Sequence, residues 1–179
     1  MPVSLRGRNW DTSVGGLQRI ESDVLQQKNL SHVIILFGNN DCWLQEPDIS
    51  KVPLPRFREN ILKIAQTITA NQQLPVLCNL QLINFKRFAS KFPELLKFKE
   101  VMSCDAGQIQ EQYSCVVEEA ARSAGISCVD IRGPLKKSSE DVVASDGVHP
   151  NDLGHKIIAE AILAHLQLLA PSLEIVRTV

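Results

Sequence analysis

The residues with the clearest chemical potential lie near the carboxyl terminus, in the segment Asp146-Gly147-Val148-His149-Pro150-Asn151. A carboxylate three residues before an imidazole allows a compact turn in which Asp146 accepts a hydrogen bond from one ring nitrogen of His149. That contact would fix the tautomer and leave the other nitrogen free to act as a general base. Pro150 restricts the backbone directly after the histidine because its ring fixes φ. The segment predicts an acid–base pair, although a histidine ahead of a helix is often only structural or exposed.

A second group of polar residues, Gly38-Asn39-Asn40-Asp41, directly follows the apolar run Val33–Phe37. The run predicts a buried strand, so Gly38 would supply a tight exit and Asn40 would direct its amide into the crevice beyond the strand. An amide donor there suits a developing oxyanion, for which one such hydrogen bond lowers the barrier by about 3 to 4 kcal/mol. An asparagine after a strand is more often a turn residue. The prediction therefore depends on the two groups occurring together, each at the end of a predicted element.

Strands and helices alternate along the chain, which predicts an α/β fold with a buried parallel sheet. Short apolar runs followed by polar or glycine-containing turns predict four strands, at Pro2–Arg6, Val33–Phe37, Leu74–Leu80 and Ile126–Ile131. Between them, apolar residues recur at helical spacing in three stretches: Leu17 to Val24; Phe57 to Ile68, behind Pro55; and Ile109 to Ala120, which Gly125 closes.

The last predicted helix begins where Asn151 can cap its free N–H groups and runs to about Leu169. The segment Phe85–Met102 is the least regular part of the chain. It is predicted to be a loop with a short helix that covers the site.

Composition predicts a single domain over residues 1–179 and excludes several classes of partner. The net charge is -1, with neither sign concentrated in a block, so neither nucleic acid nor a membrane surface is an expected partner. No segment is long and apolar enough to span a membrane. The five cysteines are odd in number and form no Cys-x-x-Cys pair, which favours reduced thiols and a cytoplasmic protein. No group of residues has the spacing of a metal site.

The two polar groups resemble known motifs of one family, the SGNH (GDSL-type) hydrolases. Phe37-Gly-Asn-Asn-Asp41 is similar to the Gly-x-Asn-Asp block of that family, and Ser145 to Asn151 is similar to its terminal Asp-x-x-His block. The resemblance covers nearly the whole chain. It implies a three-layer α/β/α flavodoxin-like fold and a serine-type ester hydrolase that needs no metal or organic cofactor. Small acyl esters, acetylated sugars and lysolipids are all compatible substrates.

Carried over to this sequence, the resemblance makes His149 the general base, Asp146 its orienting carboxylate and Asn40 an oxyanion donor. Gly38 and Asp41 would support the Asn40 loop. The glycine that donates its backbone N–H in this family aligns imperfectly. Gly7 is the candidate, but if Asp11-Thr12 sets the register, Trp10 occupies the glycine position.

The chain departs from the family pattern in lacking the Gly-Asp-Ser block that carries the nucleophile. Ser4, Ser13 and Ser145 are better explained as strand or turn residues. In the strand order 2-1-3-4-5 the strand before that block lies in the middle of the sheet, so its loss would leave backbone groups unpaired. We therefore expect the first strand and the nucleophilic serine to lie upstream of Met1, and the present chain to be N-terminally truncated and inactive.

Two other features have two interpretations each. Trp43 either lines a substrate pocket or packs under the Phe85–Met102 cover. The basic side chains of that cover either favour anionic substrates or form a solvated helix face, and the solvated face is preferred. These side chains are Lys86, Arg87, Lys91, Lys97 and Lys99.

Two functions of other classes compete with the esterase. A non-catalytic relative would fold and bind a ligand without hydrolysing esters. A nucleotide-binding or receiver-type module is disfavoured because the first strand–helix turn lacks the glycine and hydroxyl pattern that cradles phosphate, and no acidic cluster follows the strands.

Overall fold

Helices and short strands alternate in the computed structural model, which describes residues 3–27, 29–95 and 106–169. In chain order the elements are α1 (Ser13–Ile20), which continues into a π-helical turn (Glu21–Leu25), β1 (His32–Ile35), β2 (Leu44–Glu46), β3 (Ile49–Ser50), α2 (Leu54–Ala70), β4 (Leu74–Cys78), α3 (Phe85–Lys91), a 3-10 turn (Pro93–Leu95), α4 (Ala106–Ala124), β5 (Ser127–Val129), α5 (Arg132–Lys137) and α6 (Asp152–Leu169).

The central element is a three-stranded parallel sheet in the order β1-β4-β5. His32 pairs with Leu74 at the start of β4, and Val76 pairs with Ser127 at the start of β5. β4 is therefore the middle strand, and all of its residues after Leu74 are buried. Because parallel strands run in one direction, all three carboxyl ends lie at the same edge of the sheet.

Helices cover the sheet on two faces, which confirms the predicted three-layer α/β/α fold. On one face α1, α2 and α4 pack on Ile35 and Leu77, and the fully buried Phe57 lies in that core. On the other face α6 packs on Val76 and Val129. Burial on both faces explains why these strands consist of almost continuous apolar residues.

The predicted starts and ends of the helices are confirmed. Pro55 lies in the first turn of α2, where its missing N–H leaves no hydrogen bond unmade. Gly125 ends α4 with φ +64°. The Asn151 side chain accepts from the Gly154 N–H at 2.9 Å and so caps α6.

The predicted strand Pro2–Arg6 is wrong for the residues that the structure describes. Val3 to Arg6 form no strand, and Val3 and Leu5 are 79% and 89% exposed. A strand forms only where a neighbour satisfies its backbone groups, and no described strand pairs with this segment. Consistent with this, β1 has a described neighbour on only one side, and Ile34 and Leu36 are 37% and 40% exposed.

The other three predicted strands are confirmed, each with a shorter carboxyl end. Two elements were not predicted: the antiparallel β2–β3 hairpin, whose turn contains Pro47-Asp48, and α5. The short helix predicted within Phe85–Met102 is α3, while residues 96–102 lie outside the described part of the chain. No helix among the described residues is long and apolar enough to cross a membrane.

Candidate active site

The predicted acid–base pair forms on a tight turn directly before α6. The Asp146 Oδ2 atom lies 2.7 Å from Nδ1 of His149, and its Oδ1 accepts from the backbone N–H groups of Val148 and His149 at 2.8 and 3.0 Å. The carboxylate thus holds both the ring and the backbone of the histidine. The His149 side chain is 73% exposed, so the imidazole extends into solvent from a backbone that Asp146 holds in place.

The electrostatics of this turn favour an ionised Asp146. Partial burial acts to raise the pKa of Asp146, but hydrogen bonds from the backbone of His149 and Val148 and from the His149 ring outweigh burial and lower it to about 2. A carboxylate that is ionised near neutral pH can accept a hydrogen bond from an Nδ1–H group and would stabilise an imidazolium formed by proton uptake at Nε2.

Helix α3 packs tightly against this turn. The Asn84 N–H donates to the Gly147 carbonyl at 2.8 Å, and Arg87 donates to the carbonyls of Val143 and Ala144 at 2.6 and 2.9 Å. Gly147 has φ +80°, and a Cβ there would lie 2.5 Å from the backbone nitrogen of Phe88. Only glycine permits this approach, so the position of the histidine turn depends on α3.

The second predicted group, Gly38 to Asp41, forms a turn around a buried carboxylate. Oδ1 of Asp41 accepts from the N–H and the hydroxyl of Ser13 at 2.9 and 2.5 Å, and Oδ2 accepts from the Gly38 N–H at 3.2 Å. Burial raises the pKa of the Asp41 carboxyl, although the hydrogen bonds from Ser13 and Gly38 act to lower it. Gly38 has φ +127°, a conformation that favours glycine, so the tight strand exit predicted for it is present.

Asn40 connects this turn to the segment that precedes α1. Its Nδ2 donates to the Asp11 carbonyl at 2.8 Å. An amide nitrogen carries two protons, so this bond leaves one N–H for another acceptor. The Asp11 carboxylate is in turn bound by Arg19 at 2.7 Å, which ties the segment to α1.

Trp10 and Gly7, the two candidates for the family's glycine position, differ in backbone conformation. Trp10 has φ +62°, the left-handed conformation that glycine adopts most readily, and it precedes Asp11, which Asn40 contacts. Gly7 has no such φ, and a Cβ built there would meet nothing within 4 Å. The indole of Trp10 is 73% exposed.

A buried polar network links the two turns through the segment that follows β4. Asn39 donates to the Gln81 side chain at 2.7 Å, and Gln110 on α4 donates to Asn39 at 2.9 Å and to the Gln81 carbonyl at 2.8 Å. Arg132 donates to Gln110 at 2.8 Å. Three residues after Gln81, Asn84 bonds to the histidine turn. Both turns are thereby attached to the exit of the middle strand.

Sequence reasoning missed the residues of this network. Gln110 and Arg132 belong to no motif, and only their burial in the folded chain distinguishes them from ordinary surface residues. A glutamine on the apolar side of the α4 pattern was the one available signal.

Trp43 packs under the cover, as one of its two interpretations stated. Its ring lies 4.7 Å from that of Phe88 on α3. Phe88 also contacts Phe85 and Phe92, so Trp43 joins an aromatic cluster beneath the helix.

The three serines considered as nucleophiles make hydrogen bonds to residues other than His149. Ser13 is buried and donates to Asp41, Ser4 accepts from Arg6 at 3.1 Å, and Ser145 accepts from Lys91 at 3.3 Å. Among the described residues, no group of three or more histidine, cysteine or acidic side chains could hold a metal ion.

A parallel α/β fold with an Asp–His pair beyond the sheet is typical of hydrolases that use a Ser-His-Asp triad. The sequence model of the GDSL-like lipase/acylhydrolase family matches residues 1–157, and the chain therefore belongs to that family.

Solved structures share the fold. A GDSL-like lipase from Bacteroides thetaiotaomicron is 23% identical with a TM-score of 0.71, covering 92% of this chain and 75% of its own. A lipase/acylhydrolase from Enterococcus faecalis is 18% identical with a TM-score of 0.69 over 89% of this chain and 72% of its own. An acetylxylan esterase from Geobacillus stearothermophilus is 24% identical with a TM-score of 0.67, over 95% of this chain and 72% of its own. A comparison with curated proteins gives no match.

Proposed function

We propose that this chain supplies the general base and the oxyanion loop of a serine-type ester hydrolase that acts on small acyl, acetyl-sugar or lysolipid esters. The observation that carries the proposal is the 2.7 Å contact between Asp146 and Nδ1 of His149, which leaves Nε2 on an exposed ring. In this reaction a serine hydroxyl attacks the ester carbonyl, Nε2 takes the serine proton, and the same proton passes to the departing alcohol.

Asn40 is the proposed oxyanion donor. The bond from its Nδ2 to the Asp11 carbonyl fixes the amide plane while one N–H stays available. The Gly38–Asp41 turn is anchored by the buried Asp41, so the donor is held before the charge develops. A preorganised donor of this kind stabilises the transition state without reorganising during the reaction. Trp43, half-buried against Phe88, is the proposed pocket residue.

The nucleophile is proposed to come from a segment that the chain does not contain, as part of a single domain with residues 1–179. Among the described residues no hydrogen bond joins the hydroxyl of Ser4, Ser13 or Ser145 to His149, which supports this assignment. A reducing compartment such as the cytoplasm is proposed because the cysteines that the structure describes are all free thiols.

The test compares hydrolysis of p-nitrophenyl acetate by two proteins, the chain as given and a chain extended to the nearest upstream in-frame start. We expect activity in the extended protein alone, with loss after treatment with a serine-directed phosphonate. His149→Ala should remove that activity. His155→Ala is the matched control, because His155 is an exposed histidine on α6 in the same part of the chain. Equal activity in the His149 variant contradicts the assignment.

A non-catalytic binding protein is the second candidate. The lack of a hydrogen bond between these three serines and His149 in the described part of the chain favours it for the chain as given. It predicts that both proteins fold and that neither hydrolyses the ester.

A further inference from the structure

An open groove of about 440 Å³ lies beside the histidine turn, and its chemistry is basic. Helix α3 forms one wall, and Ser145, the residue before Asp146, forms part of the other. The groove is lined by Asn84, Lys86, Arg87, Ser90, Lys91 and Ser145.

The two lysines of the groove have no acidic partner. Within the described part of the chain, neither Lys86 nor Lys91 has a carboxylate within ion-pairing distance. Lys91 instead donates to the Ser145 hydroxyl at 3.3 Å, which directs its ammonium across the groove. Lys86 and Ser90 are four residues apart and so lie on the same face of α3.

The neighbouring carboxylates are already held by other groups. Asp141 binds Arg87 at 2.6 Å, and Asp146 is held by His149 and two backbone N–H groups. The Arg87 charge is thus balanced by Asp141, whereas no described carboxylate balances the charges of Lys86 and Lys91. Two uncompensated cations in a concave surface, together with serine hydroxyls and an amide, are suited to an anion.

We infer that this groove recognises a negatively charged group, a phosphate or a carboxylate, on the ester that the neighbouring histidine serves. The sequence favoured a solvated helix face for these lysines, but the structure places them in a groove that also contains Ser145, the residue before Asp146. The identity of the ligand as an ester rests on the proposed function, whereas the anion site itself does not.

The anion site is tested by binding to the chain as given, which requires no nucleophile. The probes are methyl phosphate and acetate, titrated at constant ionic strength and followed by the amide NMR shifts of Asn84, Ser90 and Ser145. We expect saturable shifts, and about tenfold weaker binding in the double variant Lys86→Gln/Lys91→Gln. Lys63→Gln is the matched control, because Lys63 is an exposed lysine of α2 with no acidic partner among the described residues.

Saturable binding of methyl phosphate alone assigns phosphate-bearing esters, and equal binding of acetate extends the class to carboxylates. Shifts that do not saturate, or binding weakened as much by Lys63→Gln as by the groove variant, would overturn the anion site. If the anions bind but the extended protein hydrolyses no ester, the proposed function fails while the anion site stands. Single-lysine variants, which alter only exposed residues, keep the test valid if the double variant fails to fold.

Discussion

Replacing Gly147 by alanine is expected to reduce the free energy of unfolding by about 2 to 5 kcal/mol. Gly147 has φ +80°, a conformation that costs an alanine about 1 to 2 kcal/mol. Its new Cβ would also lie 2.5 Å from the Phe88 nitrogen and 2.6 Å from the Asn84 carbonyl oxygen. Both are backbone atoms of or next to α3, so they move only if the helix moves, and such overpacking costs about 1 to 3 kcal/mol.

Gly125→Ala separates the two contributions. Gly125 has a similar φ of +64°, but a Cβ there meets nothing within 4 Å. Its substitution should therefore cost only the conformational part, about 1 to 2 kcal/mol.

The measurement is urea denaturation of both variants and the original protein, followed by tryptophan fluorescence. Trp43 packs on Phe88 whereas Trp10 is exposed, so the change in emission on unfolding comes mainly from Trp43, at the contact between α3 and the rest of the fold. The difference between variants is taken from the transition midpoints at constant slope. If both variants lose the same free energy, the close approach of α3 to the histidine turn is not as described, and the argument that α3 positions His149 is refuted.

Four further outcomes are expected. Asp146→Asn should lower the free energy of unfolding by about 1 to 2 kcal/mol at pH 7, and this deficit should shrink as pH falls from about 4 to 2. The reason is that a carboxylate with a lowered pKa stabilises the fold only while it is ionised. Urea midpoints between pH 2 and 7 give the profile, and an undiminished deficit at pH 2 contradicts the prediction. Asp41→Asn should lower the free energy of unfolding by about 1 to 3 kcal/mol, since an amide has one oxygen and cannot accept hydrogen bonds from both Ser13 and Gly38 as the two carboxylate oxygens do. An unchanged urea midpoint would be inconsistent with the buried turn. Trp10→Gly should raise the free energy of unfolding, measured by calorimetry, by about 1 kcal/mol. The substitution removes the strain of φ +62° and loses little packing, because the Trp10 side chain is exposed. In the extended protein, Asn40→Ala should slow ester hydrolysis about a hundredfold where His149→Ala removes nearly all of it, and equal rates for the two variants would argue against an oxyanion role.

The parts of the fold that local pattern determines could be predicted from the sequence. The strands β1, β4 and β5 are apolar runs that a parallel sheet buries on both faces, and α6 carries its own cap in Asn151. The Asp146–His149 contact could also be predicted, because both residues lie within one turn. Local sequence contains the information that decides such features.

Features that depend on partners distant in sequence could not be predicted. Val3 to Arg6 have a strand-like composition, yet a strand requires a neighbour, and composition does not show whether one is present. The Gln110–Arg132 contact joins two residues that are 22 positions apart in sequence and lie on different helices. Neither residue belongs to a motif. The β2–β3 hairpin was marked only by the Pro47-Asp48 turn signal between two very short strands.

The position of β1 at the edge of the described sheet predicts that self-association depends on protein concentration. No described strand pairs with its outer side, which presents backbone donors and acceptors next to Ile34 and Leu36, whose side chains are more than a third exposed. Such an edge is a template on which an extended segment of another molecule can be added. Light scattering should therefore increase more steeply with concentration than for a protein whose sheet edges are covered. Ile34→Lys should reduce this increase while leaving the histidine turn unchanged.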